Sequence, residues 1–167
     1  MITMLVATMI LVPMLGEWWV STGNERELRA QGAVEPAGDV YALMQVIYPA
    51  SFIAIIVEGA RRDPYLDVLV AAGFTIFIGA KALKYWAIAT LGVRWTFRVL
   101  VPPASTVVTG GPYRVMRHPN YVAVTGELLG AALVAHAVVA GPLAIAVFGL
   151  LILLRIRIEE RALGLHG

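Results

Sequence analysis

Long apolar stretches alternate with short polar segments along the chain, and this pattern predicts helices that cross a membrane. A spanning helix needs roughly 20 mostly apolar residues. Windows that approach this length predict five spans, at about residues 1–20, 40–58, 66–91, 121–139 and 142–158. The last two belong to one apolar stretch that Gly141 and Pro142 divide, and proline clashes with the helical turn before it. The fourth and fifth spans are therefore predicted to form a tight helical hairpin.

Two polar segments between the spans have predicted structure of their own. The first is helix-prone from Asn24 to Ala30 and breaks at Gly32, which predicts a surface helix. The second, residues 92–118, contains two β-branched apolar runs, Phe97 to Val101 and Thr106 to Thr109, separated by PPAS. These runs predict a short β-hairpin. A loop of this length in a compact protein usually has a function.

Composition places the chain among integral membrane proteins. Of its 167 residues, 59% are hydrophobic and 14% are charged, and the mean hydropathy is +0.78. Soluble domains carry charge on about a quarter of their positions. We find no internal repeat and no low-complexity segment. The sequence thus predicts one all-α membrane domain over residues 1–167.

Several function classes are disfavoured by composition. The formal net charge of +2 is too small to indicate a nucleic-acid partner. The chain has no cysteine, which excludes a disulfide scaffold, a thiolate metal site and a cysteine nucleophile. In the predicted topology His136 lies at the outer turn and His166 in the tail, far from His118. We therefore expect neither a haem nor a metal site.

The distribution of arginine predicts the orientation, because positively charged loops stay in the cytoplasm. Most arginines fall on one side of the predicted spans, namely Arg26, Arg29, Arg94, Arg98, Arg114, Arg117, Arg155, Arg157 and Arg161. Only Arg61 and Arg62 fall on the other side. We expect the N-terminus outside and the C-terminus in the cytoplasm, in a bacterial inner membrane. Glu17 and the two tryptophans after it resemble an interfacial girdle rather than a signal cleavage site.

The segment GPYRVMRHPNY, residues 111–121, predicts an anion site. A residue before proline is pushed out of the helical region, and proline favours the first helical position. His118 should therefore be the N-cap and Pro119 the first residue of the fourth span. Arg117, His118 and Asn120 then lie at the positive end of a helix dipole, where free backbone donors bind anions. Alternatively, Arg117 and His118 only hold the helix end at the lipid headgroups.

The segment RIRIEERAL predicts a complementary site at the inner end of the fifth span. Arg155 can pair with Glu159 at a four-residue spacing, which would neutralise this helix end. However, negative charge at a helix C-terminus opposes the dipole, so Glu159 and Glu160 suggest a cationic or hydroxylated ligand. The hairpin returns this pair to the membrane face of His118. A zwitterion with a sulfonium, an amine, a carboxylate and a ribose fits such a pocket.

These two segments resemble the isoprenylcysteine carboxyl methyltransferase family of integral membrane methyltransferases, whose signature is an RHPxY segment and a C-terminal acidic pair. Phospholipid methyltransferases are similar in the same two places. The resemblance implies that S-adenosylmethionine binds to residues 92–121 and 155–163, leaving as S-adenosylhomocysteine, and that a lipophilic acceptor enters from the bilayer. The cofactor-binding residues it implies are Tyr113, Arg117, His118, Pro119, Tyr121, Glu159 and Glu160. Two departures, Ala123 at the family's glycine position and the short chain, argue against a prenylated-protein substrate.

The segment KYWAIATLGVRWTFRV, residues 84–99, resembles a bacterial branch of this family associated with type III polyketide synthases. That branch O-methylates long-chain alkylresorcinols or alkylpyrones, so the resemblance implies a polyketide lipid as the acceptor. The substrate residues expected from it are Lys84, Trp86, Arg94, Trp95 and Glu127. Trp86 and Trp95 could instead form an aromatic belt. A carboxyl methyltransferase, a phospholipid N-methyltransferase and a non-enzymatic membrane module remain as alternatives.

Glu127 lies about two turns into the fourth span, where a carboxylate is costly and usually faces a partner or a cavity. Lys81 or Lys84 is its expected partner, and Gly126 and Gly130 should let another helix approach closely. A structural ion pair and a substrate-site role are both open for Glu127. The predicted reaction is in-line methyl transfer, with His118, Arg117 and Glu127 as catalytic residues. A phenolic acceptor would pass its proton to His118 or Glu127.

Overall fold

Five α-helices form the protein in the computed structural model, which describes residues 2–62, 64–103 and 107–164. The helices are α1 (Ile2–Ala30), α2 (Tyr41–Arg62), α3 (Val68–Leu91), α4 (Pro119–Val134) and α5 (Ala140–Ala162). Short 3-10 turns occupy Gly92–Arg94 and Gly111–Arg114. Four helices, α1, α2, α3 and α5, are long and apolar enough to cross a membrane, and α4 is a shorter fifth of 16 residues. The prediction of an all-α integral membrane protein is confirmed.

α1 runs without a break through the segment predicted as a separate surface helix. It ends where Gly32 adopts a φ of +83°, a conformation that glycine tolerates best. The N–H of Ala33 donates to the carbonyl of Leu28 at 2.9 Å, and that of Gly32 donates to Arg29 at 3.0 Å. This is a Schellman cap, which satisfies the last carbonyls of a helix. The polar segment is therefore the last turns of α1, and the break at Gly32 is as predicted.

The turn between α4 and α5 falls earlier than predicted. α4 ends at Val134 rather than at residue 139, and His136 in the turn has a φ of +51°. Gly141 and Pro142 lie in the first turn of α5. A proline there removes no helical hydrogen bond, because the first N–H groups of a helix have no partner within it. Glu58 of α2 accepts from the N–H of Ala140 at 2.6 Å and so satisfies one of these donors.

The predicted β-hairpin is wrong in the residues that the structure describes. Phe97 to Val101 is irregular, and its only strand-like contact is one antiparallel bridge between Val101 and Val34. The N–H of Phe97 donates instead to the hydroxyl of Ser21 on α1 at 2.8 Å. The segment therefore pairs with α1 and with the loop that follows it. Of the second run, Thr106 lies outside the described residues and Val107 to Thr109 is not a strand.

α4 lies among the other helices, in contact with each of α1, α2, α3 and α5. Its closest neighbour is α3, because small residues face each other between the two helices. A Cβ added to Gly130 would lie 2.7 Å from the carbonyl oxygen of Gly73, and one added to Gly126 would lie 2.9 Å from the Cβ of Ala80. The prediction that Gly126 and Gly130 permit a close helix contact is confirmed. The contact fixes α4 and with it the position of His118 at its start.

Candidate active site

A cavity of about 910 Å³ lies at one end of the helical bundle, which we call the loop end. This end holds residues 31–40, 92–103 and 107–118. Polar side chains of α4, α5 and the loop line its outer part: Tyr113, Arg117, His118, Asn120, Tyr121 and Glu159. Apolar side chains of α1, α2 and α5 line another part: Leu11, Met14, Leu15, Met44, Pro49 and Phe148. Leu11 and Leu15 are exposed, so the cavity joins a polar rim to an apolar part that borders the outer surface of the bundle.

The two motifs found in the sequence meet at the rim of this cavity. His118 is the N-cap of α4, as predicted, and its side chain makes no capping hydrogen bond. Its Nε2 lies instead 3.1 Å from Oε1 of Glu160 on α5. The hydroxyl of Tyr121 donates to Oε2 of Glu159 at 2.9 Å. The exposed guanidinium of Arg117 lies 3.9 Å from Glu160, a distance at which an exposed ion pair contributes little.

Arg155 does not pair with Glu159, in contrast to the helix-end pairing considered from the sequence. It is buried, and its Nη1 lies 2.9 Å from Oδ1 of Asp39 in the loop before α2. It also donates to the hydroxyl of Tyr121 at 3.1 Å and to the carbonyl oxygen of Phe97. Arg155 thereby joins α5 to both loops and holds the Tyr121 hydroxyl next to Glu159. Sequence reasoning missed Asp39, whose partner lies 116 residues away.

Tyr113 and Pro119 are placed by local backbone geometry. Gly111 has a φ of +53°, and a Cβ there would lie 2.3 Å from Oγ1 of Thr90 at the end of α3. Only glycine therefore fits, and the 3-10 turn that follows brings Tyr113 to the cavity. Burial, with a smaller contribution from the charge of Glu159, raises the pKa of Tyr113, so its hydroxyl stays protonated. Pro119 is fully buried at the first position of α4.

A cluster of four buried charges lies deeper in the bundle, and we call Glu17, Lys81, Lys84 and Glu127 the buried charge cluster. Glu17 lies 2.7 Å from Nζ of Lys81 and 2.6 Å from Nζ of Lys84, and Glu127 lies 3.1 and 3.2 Å from the same two atoms. The hydroxyl of Tyr48 donates to Glu127 at 2.7 Å. Both lysines are thus partners of Glu127, as expected from the sequence.

The position of Glu17 corrects its interpretation as part of an interfacial girdle. Its side chain is 3% exposed and faces α3, whereas Trp18 and Trp19 are exposed on other faces of α1. A helix turns about 100° per residue, so neighbours in sequence lie on different faces. The sequence did contain a signal for this ion pairing. Glu17 is a carboxylate within an apolar helix, and another span of the chain carries two lysines.

The predicted substrate residues fall into three groups. Lys84, Arg94 and Trp95 line the cavity. Trp95 is buried, and its indole N–H donates to Asn120 at 3.4 Å, so it is not part of an aromatic belt. Glu127 is buried in the charge cluster and does not line the cavity. Trp86 lies on the outside of α3 and is 54% exposed, which fits a lipid-facing belt residue.

The fold and the site define an all-helical integral membrane protein with a polar pocket that continues into an apolar one. The chain belongs to the isoprenylcysteine carboxyl methyltransferase (ICMT) family, whose model matches residues 71–164. This match confirms the resemblance found in the motifs and identifies the chain as a membrane methyltransferase. The matched residues include α3, α4, α5 and the loop that carries the RHPxY segment.

Two similar proteins share most of the length of the chain. The uncharacterized protein YpbQ of Bacillus subtilis is 30% identical over 159 residues, which cover 95% of each chain. An uncharacterized protein of Haemophilus influenzae is 26% identical over 145 residues, which cover 86% of this chain and 84% of that protein. No solved structure shows significant similarity. The acceptor must therefore be inferred from the site.

Proposed function

We propose that the protein transfers a methyl group from S-adenosylmethionine to an oxygen of a long-chain polyketide lipid, an alkylpyrone or an alkylresorcinol. The observation that carries this proposal is the continuous cavity of about 910 Å³, polar at His118, Tyr121 and Glu159 and apolar toward Leu11 and Phe148. A charged cofactor and a lipid tail need these two environments side by side. The family supplies the reaction class, and the resemblance of residues 84–99 supplies the acceptor class.

The residues at the polar rim fit the cofactor. The start of α4 has no side-chain cap. Pro119 has no N–H and the N–H of Tyr121 donates to the carbonyl of His118 at 3.1 Å, so the N–H of Asn120 and the positive dipole end are what this helix end offers a carboxylate. Glu159 and Glu160 are partly exposed and can accept from an amine or from ribose hydroxyls. Arg117 adds an exposed positive charge. S-adenosylmethionine, when bound, supplies a methyl group made electrophilic by its sulfonium.

The protein's own contribution to the reaction is mainly alignment of the acceptor. Holding the two reactants in line can lower the barrier by roughly 7–11 kcal/mol. Trp95 and Tyr113 line the cavity on the loop side, where the buried indole of Trp95 would limit the access of water to the reacting groups. The imidazole of His118 lies on the rim and can accept the proton of a phenolic acceptor, whereas an enolic pyrone ionises near neutral pH and needs no base.

The proposed orientation puts the loop end in the cytoplasm of a bacterial cell, with the N-terminus outside. Its support is the excess of arginine in and around the segments at that end, including Arg94, Arg98, Arg114 and Arg117. In this orientation the polar rim faces the compartment that contains the soluble cofactor. Anionic headgroups would contact the same arginines.

The direct test is methyl transfer from radiolabelled S-adenosylmethionine into the lipids of membranes that contain the protein. We expect label in a hydroxylated polyketide lipid when that lipid is added. Label in phosphatidylethanolamine derivatives would identify a phospholipid N-methyltransferase, and label in a farnesylcysteine analogue would identify a carboxyl methyltransferase. If the purified protein did not bind the cofactor, the result would favour the alternative that it is a non-enzymatic membrane module.

A further inference from the structure

One side of the buried charge cluster faces the cavity. Glu17, Lys84 and Tyr48 line the cavity, whereas Lys81 and Glu127 lie behind them. The two lysines also have different surroundings, because Lys81 contacts the rings of Phe77 and Tyr85 and Lys84 contacts the ring of Tyr48. The pair of Glu17 and Lys84 is therefore the part of the cluster that a ligand can reach.

A structural role alone does not account for these charges. Burying ions is costly, and well-packed apolar residues often stabilise a protein as much as a buried ion pair does. The penalty is greater in a bilayer, where ionisable side chains usually mark a functional site. The four residues are each less than 10% exposed. A role in ligand binding explains why they are next to a cavity.

The cluster retains hydrogen-bonding capacity toward the cavity. An ammonium group has three donors, and Lys84 has two carboxylate neighbours, Glu17 at 2.6 Å and Glu127 at 3.2 Å. The oxygen of Glu127 that lies 3.2 Å from Lys84 is Oε1, which is buried and accepts no hydrogen bond. Each oxygen of Glu17 contacts one lysine and has a second acceptor site. At least one N–H donor of Lys84 and one acceptor site of Glu17 are thus unused within the cluster, and the two lie close together.

The cluster also lies between the two environments of the cavity. Lys84 is seven residues before the end of α3, which places it about 10 Å from the loop end at 1.5 Å per residue. On α1, Leu11 and Met14 lie farther from the loop end than Glu17. A lipid whose tail contacts Leu11 and Met14 would therefore place its head group beside Glu17 and Lys84, facing the polar rim.

We propose that Glu17 and Lys84 form the binding site for the hydroxyl group of the acceptor, which donates to Glu17 and accepts from Lys84. This inference rests on the proposed function and names the side chains that select the acceptor. A hydroxyl is both a donor and an acceptor, so it satisfies both members of the pair. A cationic amine or a carboxylate would meet one like and one opposite charge in this pair, so the cost of taking such an ion out of water is not offset. The site therefore favours hydroxylated lipids over aminophospholipids and prenylcysteine.

The test is the double variant E17Q/K84Q, which removes one charge of each sign and leaves Lys81 paired with Glu127. We expect its affinity for S-adenosylmethionine, measured by calorimetry, to match that of the wild type, and the KM for an alkylresorcinol acceptor, whose hydroxyl is protonated at neutral pH, to rise about tenfold or more. The control E58Q/R62Q removes an ion pair at the opposite end of α2 and should leave this KM unchanged. An unchanged acceptor KM in a double variant that binds the cofactor would overturn the inference.

A second measurement needs no substitution and applies even where the double variant does not fold. Methyl transfer by the wild-type protein to one alkylresorcinol is measured in the presence of a second alkylresorcinol of different chain length, which is a competing acceptor, or in the presence of the dimethyl ether of that second lipid. The ether cannot donate to Glu17, so we expect it to inhibit about tenfold more weakly. Equal inhibition would overturn the hydroxyl site and leave the methyltransferase proposal intact. A wild-type protein that neither binds the cofactor nor transfers methyl groups would instead refute the proposed function itself.

Discussion

His118 and Glu160 are the two side chains on which the proposed cofactor site depends most directly. They lie 42 residues apart in sequence and 3.1 Å apart in the structure. A hydrogen bond to a charged group contributes about 1.5–3 kcal/mol, so H118A and E160Q should each weaken S-adenosylmethionine binding about tenfold or more. Calorimetry on the purified protein measures this directly.

The matched control for this prediction is E27Q, which removes an exposed carboxylate at the loop end of α1, away from the cavity. Its affinity for the cofactor should equal that of the wild type. If both H118A and E160Q also retained wild-type affinity while folding in detergent, the rim would not be the cofactor site.

At the residue scale, the sequence predicted features set by local geometry and missed those set by distant partners. His118 as an N-cap follows from the proline after it. Glu17 and Asp39 were missed as parts of buried networks, because their partners lie 67 and 116 residues away. Glu127 was predicted to pair with a lysine because a lone carboxylate in a span needs a cation, but its geometry with two lysines requires the fold.

Arg155 of α5 contacts Asp39, Phe97 and Tyr121, which lie in the two loops and in α4. Its removal should therefore destabilise the whole loop end. In R155M, Asp39 would stay buried without its partner, and breaking a buried ion pair in this way costs about 3–5 kcal/mol. We expect a clear fall in the unfolding temperature in detergent. The double variant D39N/R155M removes both charges and should recover part of the loss. A single variant as stable as the wild type would show that the loops are held in another way.

The contact between α3 and α4 leaves no room for a side chain at its centre. In G130A the new Cβ would lie 2.7 Å from a backbone oxygen of α3, so we expect a loss of about 1–3 kcal/mol in the free energy of unfolding. G79A on α3 is the control, because nothing lies within 4 Å of its added Cβ. That substitution should be neutral or slightly stabilising, since alanine favours a helix. Equal stability of the two variants would contradict the close contact.

At the element scale, the errors of prediction came from tertiary contacts. Pro142 was predicted to begin the fifth span and lies in the first turn of α5, but α4 ends at Val134 rather than at residue 139, and Glu58 of α2 satisfies a donor at the start of α5. The run from Phe97 to Val101 has strand composition, but Ser21 and Val34 supply its hydrogen-bonding partners. Helix number and type followed from hydrophobic pattern alone, because the bilayer length fixes them.

The proposed orientation of the whole molecule rests on the uneven distribution of arginine about the helices. A reporter fused after Gly167 should therefore be cytoplasmic, and one inserted after Tyr65, between α2 and α3, should be outside the membrane. Alkaline phosphatase and green fluorescent protein fusions distinguish the two locations. The opposite result would place the cavity rim away from the cytoplasmic cofactor and remove a main support of the proposed reaction.

The acceptor tail should determine how well a lipid binds more than how fast it reacts. Each methylene buried against the apolar lining contributes about 0.8 kcal/mol, which corresponds to about a fourfold change in KM. Shortening an alkylresorcinol tail by two carbons should therefore raise KM by about an order of magnitude, with kcat unchanged as long as Glu17 and Lys84 hold the ring. Initial rates over a series of chain lengths measure both constants.

Farnesylcysteine should be a poorer acceptor than any of the longer alkylresorcinols, because its carboxylate is ionised and has no proton to donate to Glu17. If it reacted faster than every hydroxylated lipid, the protein would be a carboxyl methyltransferase, and the pair of Glu17 and Lys84 would not select the acceptor.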